Sequence, residues 1–417
     1  VKALFLSDAG CHTGFGRVTH SIGERLVEDF GWDISVLGVN YRGDFWPSLR
    51  DPSKPTPLKL YRPNMLVGND SYGRSRYIEM LGTVEPDVVF ILQDANVILS
   101  MLHENPYDAK KILLQYRPIV TYVPIDGYNL PPIWSEGLAE ASLVVAMSKF
   151  GQGQLKDSHL VPHGVDTITY HPVSPKEPIT LSNGNKVSTK RECKKAFGYD
   201  PDGFLVLRVD KNSARKDFGA TVHALWPAME RHADIQVHFQ CEDRVQTGVW
   251  ITSMLSRRED LHKRFFLPAN MNSFQGWPES DLAALYNAAD IFVSTSGGEG
   301  FGLTLAESLA CGVPVIAQNC SAIPETVGPG GVLVEPLDRE VTVPSGEELK
   351  LADISAFTQA IERLYKSAGA RRSLGQAGRE HVVAAFNWDE AATRFDEFLR
   401  KAAAGTDTST EVKPNAA

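Results

Sequence analysis

The chain has 417 residues, 43% hydrophobic and 22% charged, an ordinary globular composition too long for one core, so two domains are expected. Its net charge of -9 disfavours nucleic acid or anionic lipid as an overall partner, leaving only a local basic patch open. The five cysteines, Cys11, Cys193, Cys241, Cys311 and Cys320, form no CxxC pair, which argues against a disulfide framework and a thiolate zinc site and fits a reducing cytoplasm.

The opening "VKALFLSDAG" is a short apolar run that reaches a polar turn at Ser7-Asp8, so it is expected to be a first strand rather than a signal peptide. No apolar run approaches the roughly 20 residues of a membrane span. Further strand candidates follow at Ile34–Val39, Val88–Leu92, Ile119–Val123 and Leu143–Ala146. Pro162–Pro178 is proline-rich without helical periodicity and reads as a crossing between domains. Beyond it, Asn183-Gly184 suggests a hairpin, and strand candidates resume at Phe204–Val209, Gln236–Phe239, Ile291–Ser294 and Val313–Ala317. A second decoration is expected near Asp338–Leu351, and the small, polar tail after Ala404 is expected to lack structure. Strands alternating with helical patterns argue for two α/β units with parallel sheets.

The stretch "STSGGEGFGLTLAESLACG" reads as strand end, glycine turn and helix. Backbone N–H groups at such a helix start favour anions, and glycines let a phosphate approach closely. Yet Glu299 and Glu307 stand there too. Carboxylates are acceptors suited to sugar hydroxyls, so amides for phosphate beside carboxylates for hydroxyls suit a sugar nucleotide. The bland alternatives are a plain glycine turn and acids that complement the helix dipole. The turn matches neither a P-loop nor the dinucleotide fingerprint.

Pro278–Gly328, which contains this stretch, resembles the signature region of glycosyltransferase family 4, retaining enzymes of the GT-B fold. The resemblance implies two Rossmann-like doubly wound domains facing an interdomain cleft, with a C-terminal helix crossing back to the first. Domain boundaries are expected at 1–168 plus the crossing helix 387–404, and at 169–386, with 405–417 as tail. Glu307 would bind the ribose of the donor and Glu299 its hexose beside the reacting carbon. The N–H groups of Gly300, Phe301, Gly302 and Leu303 would line the diphosphate. The sequence departs from the family pattern at Thr295, where proline is usual, and at Ser308-Leu309, where Ala-Met is usual.

"LRVDKNSARKDFGA", Leu207–Ala220, is similar to the family's Arg and Lys pair on the diphosphate, which falls on Lys211 and Lys216. A lysine lacks arginine's bidentate fork, and Arg215 or Arg208 would supply it. A solvated basic turn is the alternative. The resemblance implies that the loop "SDAGCHTGFGRVTHSI" puts Gly14, Phe15 and Gly16 near the cleft beside the donor phosphate and acceptor, ahead of a helix expected near Arg17; a simple tight turn is the alternative. In "YVPIDGYNLPP" Asp126 stands where many relatives carry an acceptor-side histidine; capping a turn is the alternative role. His163 in "PHGVD" reads as a satisfied hinge histidine, with a cleft residue as the alternative, Asp166 as a turn residue, and the formal DxD of Asp200 and Asp202 as a turn.

What the resemblance implies is transfer of a hexose from a UDP- or GDP-linked sugar to an acceptor hydroxyl by a front-face mechanism, with no metal and no further cofactor. A sugar-nucleotide epimerase, a non-catalytic binder of the same fold and a glycosidase using Glu299 and Glu307 stay as alternatives. The acceptor class, whether sugar, lipid-linked, protein or nucleobase, is left open.

Overall fold

A computed structural model describes residues 1–63, 72–103, 118–269, 271 and 276–405. The chain divides into two units: Val1–Ile125, Leu130–Gly164 and Trp388–Ala417 form one, and Asp126–Asn129 with Val165–Asn387 form the other. Val165–Ile168 and Asn387, expected with the first domain, group with the second unit. The four residues from Asp126, expected in the first domain, group with the second, because they pair there with the loops that carry Arg215 and Glu348.

The first unit is built on a parallel sheet in the order β3-β2-β1-β4-β5-β6-β7. Its strands are β1 (Lys2–Ser7), β2 (Asp33–Gly38), β3 (Lys59–Tyr61), β4 (Val88–Leu92), β5 (Ile119–Val123), β6 (Leu143–Ala146) and β7 (His159–Leu160). Every residue of β4 and β5 is buried, the pattern of parallel strands covered on both faces. The helix Gly14–Phe30 follows β1. It starts at Gly14 rather than near Arg17, because the Thr13 side chain caps it by accepting from the Gly16 N–H and donating to Asp8 at 2.6 Å. Gly14, Phe15 and Gly16 are thus the first turn of a helix and not a loop.

The helix Trp388–Ala403 belongs to this unit and buries Trp388, Ala391, Ala392, Phe395, Leu399 and Ala402 along one stripe. Phe395 packs on Phe90 and Tyr122, with ring centroids 5.3 and 4.8 Å apart. Gly164 admits this helix, since a Cβ there would lie 2.3 Å from the Trp388 nitrogen.

In the second unit, hairpin β8 (Ile179–Thr180) and β9 (Lys186–Val187) turns at Gly184, φ +84°. The main sheet is parallel in the order β12-β11-β10-β13-β14-β15. Its strands are β10 (Phe204–Val209), β11 (Ile235–Gln240), β12 (Phe265–Phe266), β13 (Ile291–Ser294), β14 (Val315–Gln318) and β15 (Gly331–Val334). A second antiparallel hairpin joins β16 (Glu340–Thr342) to β17 (Glu348–Lys350). Winding runs outward from β10 to β12, then restarts on the other side of β10 at β13. The C-terminal ends of β10 and β13 therefore flank the topological switch point, where open α/β sheets bind ligands. Residues 406–417, which include most of the predicted tail, lie outside the described residues. Among the described residues no helix is long and apolar enough to cross a membrane.

Candidate active site

Six charged side chains at that switch point form a chain of alternating sign. Arg208, next to the last residue of β10, reaches Asp210 at 3.3 Å, and Asp210 accepts from Lys216 at 2.6 Å. The Lys216 ammonium also binds Glu299 at 2.5 Å, Glu299 meets Arg215 at 3.2 Å, and Arg215 meets Asp126 at 3.1 Å. All six belong to the second unit.

At one end the Arg208 side chain is fully buried. Its guanidinium lies 4.1 Å from the centroid of the Phe218 ring. It donates to Thr295 Oγ1 at 3.0 Å, to Thr221 Oγ1 and to the Lys216 carbonyl. Thr295, where the family pattern has proline, thus supplies an acceptor for a buried cation. The guanidinium that reaches the expected donor carboxylate is Arg215. Lys211, expected on the donor diphosphate, is exposed, because the loop turns it outward as Asn212 anchors inward on the carbonyls of Glu242, Asp243 and Val249.

Glu299 is 6% exposed. Burial alone would raise its carboxyl, but the Lys216 ammonium and Arg215 guanidinium outweigh that and hold it at about 2. Its N–H donates to Ser321 Oγ at 2.8 Å, and Ser321 itself sits at φ +46°, a left-handed conformation rare outside glycine. The Ser321 N–H donates to the Tyr128 hydroxyl at 2.7 Å. At the chain's other end the Asp126 carboxyl is pushed up by burial, with Glu299 adding to the rise and Arg215 opposing it.

Two glycines make this possible. A Cβ on Gly298 would lie 1.9 Å from the Asp126 carbonyl oxygen, and one on Gly297 would lie 2.7 Å from that of Lys350. Gly302, φ +93°, then turns the chain into the helix Leu303–Ala310. Within the predicted diphosphate cradle, the Gly300 N–H is directed to Asp126. Phe301 turns its ring to Phe386, with centroids 4.9 Å apart. Glu307 is 2% exposed and accepts from the Tyr286 hydroxyl at 2.8 Å.

The structure therefore brings Glu299, Lys216, Arg215 and Asp126 together, leaves Lys211 outside, and carries Gly14, Phe15 and Gly16 in the first unit. Sequence reasoning missed Asp210, Ser321 and Tyr286. Asp210 had a signal, an acid two residues past a strand arginine; the other two are distant in sequence and gave none. His163 is buried against the Tyr122 hydroxyl at 2.7 Å and its ring is held neutral by burial, at about 3. Asp166 accepts from the N–H groups of Ile168 and Thr169. In the DxD, Asp200 accepts from the Asp202 N–H at 3.0 Å, as a turn residue does.

Two doubly wound parallel units, with an anion-ready strand–glycine–helix turn at the second switch point, define a GT-B fold. Sucrose-phosphate synthase from Thermosynechococcus elongatus has a similar fold, with a TM-score of 0.71 at 18% identity over 97% of this chain and 100% of that one. HepE from Anabaena, solved in complex with UDP-glucose, aligns with a TM-score of 0.67 at 16% identity over 96% of this chain and 99% of that one. The family model for glycosyl transferases group 1 matches residues 253–381. The resemblance to glycosyltransferase family 4 read from Pro278–Gly328 falls inside that matched segment. A D-inositol 3-phosphate glycosyltransferase from Salinispora arenicola is 32% identical over 64% of this chain and 56% of its own length. An MMP alpha-(1->4)-mannosyltransferase from Mycolicibacterium hassiacum is 33% identical over 32% of this chain and 30% of its own. The chain thus spans about half or less of these relatives.

The depressed carboxyl of Glu299 fixes the sign of a pH effect. The folded state binds its proton more weakly than the unfolded chain does. Its ion pairs therefore contribute stability above the ordinary glutamate range, and that contribution is lost as pH falls from about 4.5 toward about 2. Urea midpoints of the native chain and Glu299→Gln should differ more at pH 7 than at pH 3. A constant difference would remove the ion pairs as the cause.

Proposed function

We propose that the chain is a retaining hexosyltransferase that uses a nucleoside-diphosphate sugar, UDP- or GDP-linked, and an acceptor hydroxyl. The observation that carries this reading is the pair of adjacent cations, Lys216 and Arg215, interleaved with the carboxylates Glu299 and Asp126 beside a glycine turn. The group 1 family match and the named glycosyltransferase relatives support transfer over epimerisation, hydrolysis or binding alone.

In this reading the diphosphate lies against the glycine turn, where Lys216, Arg215 and the N–H groups of Gly302 and Leu303 stabilise charge. Glu307, oriented by Tyr286, takes the ribose hydroxyls, and Glu299 takes the hexose. The acceptor oxygen attacks the anomeric carbon from the face that the phosphate oxygen leaves. The C–O bond to phosphate breaks, and the acceptor proton passes to the departing diphosphate. The new bond keeps the anomeric configuration. The chain's contribution is electrostatic, and the reading requires no metal. Asp126 meets the acceptor side, where many family members carry a histidine.

A melting-temperature panel of UDP-, GDP- and ADP-linked sugars tests this directly. The cognate donor at 100 times its dissociation constant should add about 2.7 kcal/mol of native stability. Stabilisation by simple glycosides and by none of the nucleotides would overturn the reading.

A further inference from the structure

The alternating chain Arg208, Asp210, Lys216, Glu299, Arg215, Asp126 balances three positive against three negative groups. Its members are not held equally. Asp210 lies between Arg208 and Lys216, and Glu299 between Lys216 and Arg215, so each contacts two cations. Asp126 is the terminal anion. Among the described residues its ion-pair partner is Arg215 alone, which it shares with Glu299, and it is the most accessible carboxylate of the three at 18%.

Everything else packed against it offers little compensation. The glycine turn supplies the Gly300 N–H and the negative charge of Glu299, while Lys216 is already committed to two other carboxylates. The β16–β17 hairpin brings Glu347 against Gly127 and Glu348 against Asn129, both acidic, and its Lys350 lies 5.2 Å from the centroid of the Tyr128 ring.

A nucleotide sugar carries a diphosphate diester that stays dianionic across the neutral range. If it takes Arg215 as the proposed function requires, Asp126 loses its cation while a new anion arrives beside it and Glu299 stays charged. In this low-dielectric setting the inexpensive response is a proton on the weakest-held carboxylate. We infer that binding of the sugar nucleotide is coupled to uptake of one proton by Asp126. The resulting carboxyl is a hydrogen-bond donor and can face a phosphate oxygen or Glu299 that its carboxylate would repel. The step is a protonation only, with the proton drawn from solvent buffer.

This inference rests on the proposed donor site, and one experiment separates the two. Calorimetric titration of the full chain with UDP-glucose and GDP-mannose, in buffers of different ionisation enthalpy at neutral pH, counts protons per ligand bound. Uptake of about one proton is expected, with affinity weakening about tenfold per pH unit as alkalinity rises. Asp126→Asn, nearly isosteric and checked first for an unchanged melting transition, should abolish the uptake. Should that variant not fold, the pH dependence of native-chain affinity measures the same coupling, and an affinity that stays flat with pH overturns the inference. Binding without proton uptake, or equal uptake by Asp126→Asn, also overturns it and leaves the donor site standing. Absence of binding by every nucleotide sugar tried overturns both.

Discussion

Lys216→Ala is expected to lower turnover by more than about tenfold, since one well-placed donor in a comparable electrostatic site is worth on the order of 3 kcal/mol. The geometry explains why this lysine in particular. Its ammonium bridges Asp210 and Glu299 at 2.6 and 2.5 Å, so its removal both deletes a donor and leaves two buried carboxylates facing each other. Each keeps one cation, Arg208 or Arg215, so the fold should survive at some cost in stability. The check is turnover at saturating donor, measured beside the melting temperature. Lys216→Arg restores charge without the point geometry and should recover part of the loss. Near-normal turnover in Lys216→Ala would remove the residue from the mechanism.

Arg208→Leu should produce the largest loss of stability. A fully buried guanidinium serves Asp210, Thr221, Thr295 and two backbone carbonyls at once, and leucine answers none of them. Breaking a buried ion pair from one side costs about 3–5 kcal/mol, which for a unit of this size lowers the melting temperature by about 10 °C. Thermal unfolding followed by circular dichroism measures the shift. A change of only a degree or two would mean that Asp210 and the threonines are satisfied without Arg208.

The sheets were legible because parallel strands covered on both faces are unbroken apolar runs, as β4 and β5 are. The strands that escaped are short ones. β3, β7 and β12 have three, two and two residues, and β15, four residues long, lies at a sheet edge beside glycines. A pattern needs length to register, and these have too little.

In the site, the local motifs carried most of what could be read. Glu299, Glu307 and Lys216 stood on a turn and a loop whose spacing was informative. What could not be read was which cation turns inward. Lys211 stood where a diphosphate cation was expected, but Asn212 anchors the loop to the residues after β11 and leaves Lys211 exposed, while Arg215 turns in to reach Glu299. Nor does sequence spacing say that Asp126 joins the second unit. That depends on Gly298 lacking a side chain and on Tyr128 bridging to Glu348.

The alternation of charge has a consequence for how an anionic donor would arrive. Paired opposite charges cancel at distances larger than their spacing, so the waiting site casts little field into solvent, and the chain as a whole carries -9. In the proposed reading a dianion approaching from afar would not be steered inward and would meet the site by ordinary diffusion. Only at contact would Lys216 and Arg215 become available, by exchanging carboxylate for phosphate. Selectivity in such a site resides in residence time rather than in encounter.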